Sequence, residues 1–113
     1  MSHDRFLITF PVYVLTYADG QIINLNYAGG IVAVATFTDE DLAQRFLTAA
    51  AQPEFKVASL RSPQAYLHLL ELSAHHGTTH VTFDPRFGEK ITQHLLIITD
   101  LIRDLEKQCF PEN

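Results

Sequence analysis

The stretch Ile31-Val32-Ala33-Val34-Ala35-Thr36-Phe37-Thr38-Asp39-Glu40-Asp41-Leu42 changes character at its middle, and that change decides the fold. Up to Phe37 it is an almost unbroken apolar run with β-branched residues in it, which suits a central strand buried on both faces. From Thr38 the period changes. Thr38 is a good N-cap, and Asp39, Glu40 and Asp41 set negative charge on the free amides of a first helical turn. Leu42, Phe46, Leu47 and Ala50 follow at helical spacing, which predicts an amphipathic helix over residues 39–51.

Toward the N-terminus, Ala28-Gly29-Gly30 makes a turn into this strand. Residues 21–27 alternate in part, with Ile23, Leu25 and Tyr27 set against Asn24 and Asn26, as in a strand with one wet face. Asp19-Gly20 readily supplies the positive φ angles of a hairpin turn, and residues 6–17 read as the first strand. Three strands joined by short turns predict an antiparallel meander. Pro11 cannot donate to a ladder, so it implies a bulge or an edge position in the first strand. The same apolar run, following Arg5, has the length of a signal-peptide h-region, but Pro11, its tyrosines and threonines, and Asp4 favour a strand. It is too short for a membrane-spanning helix. A cytoplasmic setting is expected.

Toward the C-terminus, Gln52-Pro53 ends the first helix, because the residue before proline avoids the α region. Residues 55–60 form a short strand. Ser62-Pro63 then opens a second helix, with serine as cap and proline at the first helical position. Tyr66, Leu69, Leu70 and Ser73 make its inner stripe, and Gly77 is its stop. Residues 80–83 read as another strand, turned by Asp84-Pro85 and loosened by Gly88. A last helix is predicted from about residue 89 to 108. Ile91, Leu95, Ile98, Leu101, Ile102 and Leu105 share a stripe about 120° wide. Leu96 falls off that stripe and Ile97 sits at its edge, so they meet a second layer or an oligomer contact. The expected fold is α+β, a single domain over residues 1–113. It has a mixed sheet of about five strands carrying three helices, in the order β-β-β-α-β-α-β-α.

Composition agrees with this reading. At 113 residues and 47% hydrophobic, the chain can bury a core of its own. Cys109 is the single cysteine, which excludes an internal disulfide and a cysteine-based zinc ribbon. A net charge of −5 with scattered cations argues against binding nucleic acid or anionic membranes.

The order of signals resembles the SseB N-terminal domain family, bacterial proteins linked by name to enhanced serine sensitivity. The residues that carry the resemblance are Val32 through Leu42 and the stretch Val81-Thr82-Phe83-Asp84-Pro85. The first is similar to that family's apolar strand followed by Phe-Thr, acidic residues and Leu. The second is similar to its strand ending in an Asn-Pro or Asp-Pro turn. The helix over residues 62–72 occupies the expected place between them. The chain departs from the family pattern in its long, hairpin-rich N-terminus and small size. The resemblance implies a layered fold of helices and strands and a bacterial, cytoplasmic setting, with no established catalytic residue or cofactor.

Three groups of side chains invite a functional reading. His75, His76 and His80, with His68 upstream, are ligands of the type that zinc takes, but no acid stands at metalloprotease spacing. A solvated helix C-terminus, where cations meet bare carbonyls, is the favoured explanation of them. Thr38, Asp39 and Asp84 mark strand ends, where ligands gather in α/β sheets and where two carboxylates suit a cation or acid–base work. Capping and turn formation account for them locally. Tyr13, Tyr17 and Tyr27, with Phe6 and Phe10, form either a cross-strand core or a stacking surface for a partner. No serine sits in a nucleophile elbow, and the Gly29-Gly30 turn precedes a strand instead of opening a helix. Cys109 lies at a helix end that opposes thiolate formation. No cofactor is expected. The expected role is a non-catalytic binding or assembly module, a homodimer through the first hairpin or the last helix, or docked on a protein partner. The alternative is a small metal-binding protein or enzyme using His75, His76 and His80.

Overall fold

The apolar run at the centre of the sequence is the spine of the sheet. The computed structural model describes residues 8–52, 54–88 and 95–109. Along them run β1 (Val12–Thr16), β2 (Asn24–Tyr27), β3 (Ile31–Phe37), α1 (Glu40–Ala50), β4 (Lys56–Leu60) and α2 (Pro63–His75). β5 (His80–Phe83), β6 (Leu95–Ile97) and α3 (Ile98–Cys109) follow. The fold is α+β, with one mixed six-stranded sheet in the order β4-β1-β3-β5-β6 and β2 paired to β3.

β1 and β2 share one edge of β3 in place of a simple meander. Tyr13 lies opposite Phe37 and Val14 opposite Thr36, whereas Asn24 lies opposite Val34 and Tyr27 opposite Ile31. β3 is seven residues long, enough to pair with both shorter strands end to end. Between them the chain leaves as a small hairpin closed by the Thr16–Ile22 bridge, with Gly20 at φ 91° and its N–H donating to the Tyr17 carbonyl at 2.9 Å. Pro11 is neither bulged nor on an edge. It stands one residue before β1, outside the ladder, so an interior strand loses no hydrogen bond to it. The expected first strand is shortened accordingly, and Phe6 lies outside the described residues.

Helices cover both faces. β3 and β4 are each antiparallel to β1, and β3 is parallel to β5. The α1 crossover thus runs one way across the sheet and the α2 crossover the other. Right-handed connections of opposite direction place their helices on opposite faces. Alternation along the strands then divides the core. Leu15, Ala35 and Phe37 pack with Ala43 and Phe46 of α1. Val12, Val81 and Phe83 pack with Tyr66 and Leu70 of α2 and Leu101 and Leu105 of α3. Thr36 is fully buried on this second face, and its hydroxyl lies 2.6 Å from the Tyr66 hydroxyl. That bond ties α2 to the central strand.

The helix ends follow local chemistry. Ser62 caps α2 by accepting from the Ala65 N–H, and Pro63 occupies the first turn. Beyond α2, Gly77 at φ 100° lets the Thr78 N–H reach the Ser73 carbonyl at 2.9 Å. That closure satisfies carbonyls the helix leaves bare.

The last helix starts later than its hydrophobic stripe suggests. Residues 89–94 of the expected helix, Ile91 among them, lie outside the described residues. Leu95–Ile97 is a strand, with Val81 opposite Leu96 and His80 opposite Ile97. Main-chain pairing on the open edge of β5 outweighs helical period in a run of apolar residues with good strand propensity. Strand alternation now explains the two residues that missed the stripe. Leu96 packs on the α2–α3 core, and Ile97 points the other way and is 51% exposed. From Ile98 onward the stripe is used as expected, with Ile98, Leu101 and Leu105 buried. Among the described residues, no helix is long and apolar enough to cross a membrane.

Candidate functional site

The parallel strands β3 and β5 end side by side, and their C-terminal residues are bound to each other. Asp84 adopts a left-handed conformation at φ 51°, which short polar side chains tolerate. Its N–H donates to the Thr36 carbonyl at 2.8 Å. Its carboxylate accepts from the Thr38 N–H and from the Thr38 hydroxyl, each at 2.8 Å. The structure therefore brings Thr38 and Asp84 together, as sheet logic suggested. Thr38 is not the cap of α1, because its hydroxyl is spent on Asp84. Asp39 takes that role with extended backbone, and its carboxylate accepts from the Asp41 N–H at 2.9 Å.

A cleft of about 600 Å³ opens against this junction, lined by Phe10, Pro11, Tyr13, Thr38, Asp39, Glu40 and Phe83 among others. A second hollow of about 390 Å³ adjoins it, bounded by Pro11, Tyr13, Glu40, Val57, Ser59 and Arg61. Tyr13, Pro11 and Glu40 border both, so Tyr13 stands as the half-buried partition. Asp84 does not line either hollow. It holds the strand ends, and the carboxylates next to the cleft belong to the cap and first turn of α1, Asp39 and Glu40. This arrangement offers an aromatic and acidic wall.

The other tyrosines lie apart from Tyr13. Tyr17 is 43% exposed and packs edge-on to Phe55, with ring centroids 5.5 Å apart. Tyr27 borders a shallow, mostly apolar groove of about 290 Å³ together with Ile23, Leu25, Phe46, Phe55 and Phe87. Phe10 points to the opposite layer and meets the edge of Tyr66 at 6.0 Å. Among the described residues, the aromatics of the N-terminal region are thus divided between the two faces and do not form one stacking platform.

The histidines are near one another in sequence and are differently used. His75 is the last residue of α2 and His76 its C-cap, both exposed, with ring centroids 5.5 Å apart. His80 begins β5, and its Nδ1 lies 2.7 Å from the Thr79 hydroxyl. His68 is exposed on α2. The described residues contain no group of three or more His, Cys, Asp or Glu side chains placed to hold a metal ion. Cys109 ends α3, and loss of solvent raises its thiol pKa above the ordinary value, away from nucleophilic behaviour.

Two contributors, Phe87 and Arg61, carry no periodic mark of their place in the sequence. Phe87 sits in the turn after β5, 53% exposed, with its ring against Phe46 of α1. The available signal was a large aromatic between Asp84-Pro85 and Gly88, where no strand or helix would bury it. Arg61 borders the smaller hollow next to Tyr13, and nothing in its local pattern marks it.

No protein-family model matches the chain, and no curated protein sequence matches it.

Proposed function

We propose that the chain is a non-catalytic binding and assembly module that acts as a homodimer. The observation that carries this reading is the unequal use of side chains around the sheet. Polar groups at the strand ends are consumed within the fold, Thr38 by Asp84 and Asp39 by its own helix. Apolar groups remain outside it. Phe87 at 53% and Ile97 at 51% exposure both lie on the α1 side of the sheet, where the shallow groove around Tyr27 also opens. Exposed apolar surface beside a groove is the signature of contact with another macromolecule. Kinship with the SseB N-terminal domain belongs to the same proposal. Its support is that the two stretches carrying the resemblance are adjacent parallel strands, joined by the Thr38–Asp84 bonds. A bacterial, cytoplasmic setting follows from that kinship.

The test is sedimentation equilibrium of the full chain across a wide concentration range, paired with zinc titration of chelator-treated protein by calorimetry. The expected result is a reversible monomer–dimer equilibrium and no stoichiometric zinc uptake. Tight stoichiometric uptake lost on replacing His75, His76 and His80 would transfer the assignment to a metal-binding protein.

A further inference from the structure

We infer that the dimer forms through the outer edge of β4, paired antiparallel with β4 of a second copy about a two-fold axis at Ala58, so that two sheets become one. This rests on the assembly reading above and names the surface for self-association; the exposed Ile97, on β6 at the opposite end of the sheet order, lies outside it and belongs to the binding part of that reading.

The Ile23 N–H donates to the Leu15 carbonyl at 2.9 Å, so the main chain of Leu15 faces away from β4. Leu15 lies opposite Val57 in the β1–β4 pair. In an antiparallel ladder the two residues of such a pair both turn their N–H and C=O groups away from each other. Val57 therefore directs both groups outward, and by alternation Ser59 does too. Ala58 and its neighbours Lys56 and Leu60 bond inward to β1. β4 ends the sheet order, so these outward groups have no strand partner among the described residues.

Edge strands of soluble proteins are normally blunted by proline, a bulge, charge or a covering element. β4 has five residues, Lys56-Val57-Ala58-Ser59-Leu60, with no proline and a charge only at its first position. Its register with β1 is unbroken from Val12–Leu60 to Thr16–Lys56, which excludes a bulge. The opposite edge, β6, has only three residues.

A second copy of the same strand fits this edge better than an unrelated segment because the edge is complementary to itself. Pairing about Ala58 sets Val57 opposite Ser59 of the second copy and Ser59 opposite its Val57, and each pair exchanges both main-chain bonds. This register engages the whole strand. Ala58 then meets itself in a pair with Cα atoms about 4.5 Å apart, an approach its small side chain permits. Lys56 lies opposite Leu60, so no like charges meet directly. Arg61 comes opposite Phe55 on the same face, where a guanidinium is attracted to a ring.

The experiment uses full-length chains. Ser59→Pro removes an outward donor and leaves the inward ladder to β1 intact. Ala58→Cys, in a Cys109→Ser background, places two thiols across the axis within disulfide reach. Ile97→Cys in the same background is the control on the other edge. The expected results are dimer dissociation made about tenfold or more easier by Ser59→Pro with unchanged circular dichroism, and rapid oxidative cross-linking of Ala58→Cys but not Ile97→Cys. If Ser59→Pro does not fold, the cross-linking decides alone. A wild-type dimer in which Ala58→Cys fails to cross-link overturns the β4 edge and leaves the assembly reading standing. A wild-type chain that remains monomeric at every concentration overturns both.

Discussion

Tyr66 and Thr36 form a polar contact that crosses from α2 to the centre of the sheet, and its worth can be worked from its burial. Both residues are fully buried and their hydroxyls are 2.6 Å apart. Thr36→Val keeps shape but strands the Tyr66 hydroxyl without solvent, which costs about 1–3 kcal/mol. Tyr66→Phe strands the buried Thr36 hydroxyl in the same way and costs an amount in the same range. Removing both partners leaves an apolar pair of nearly the same shape and costs less than the sum of the singles. Urea denaturation with a constant m-value would read the cycle. A pH arm makes the same point. Burial raises the Tyr66 phenol well above its ordinary value, and the bond to Thr36 opposes that only in part. A group whose folded pKa is raised contributes stability that is complete below its unfolded pKa, about 10, and is lost as pH rises above it. Wild-type stability should therefore fall above about pH 10 more steeply than that of Tyr66→Phe. Single variants that add within about 0.5 kcal/mol, with identical alkaline slopes, would refute the reasoning.

Asp84→Ala should cost about 1–3 kcal/mol in thermal or urea unfolding, since it removes both bonds to Thr38 from a left-handed position. Asp84→Gly should recover part of that loss by relieving the backbone. Asp39→Ala should cost about 0.5–2 kcal/mol as the loss of a helix cap, whereas Thr38→Ser should be tolerated because it keeps the hydroxyl. Leu96→Asp should unfold or severely destabilise the chain while Ile97→Asp leaves stability nearly unchanged. Equal effects would contradict the strand alternation at β6.

The fold was legible wherever local chemistry and tertiary context agree. Ile31–Phe37 is the buried central strand its apolar run implied, and Ser62-Pro63 opens α2 as read. The acidic corner was recognised, but its division of labour was not. Thr38 and Asp39 are both acceptable caps, and only the arrival of Asp84 from β5 decides that Thr38 is otherwise engaged. Leu95–Ile97 was misread because a three-residue strand running straight into an amphipathic helix adds apolar residues to the helical pattern. The two anomalies, Leu96 and Ile97, were the trace of that boundary. At the candidate cleft, Tyr13, Thr38, Asp39 and Glu40 are marked by the sequence, while Arg61 beside it and Phe87 at the separate groove around Tyr27 reach their places only through strand order. Pairing across a sheet leaves no periodic mark on a single sequence.

Small-angle X-ray scattering of the purified chain over a concentration series tests assembly most directly. The Cα radius of gyration of one copy is 13.9 Å. A homodimer gives forward scattering that rises to twice the monomer value, with a radius of gyration well above that of one copy. Monomer mass throughout, with a radius that stays near the single-copy value, would contradict it.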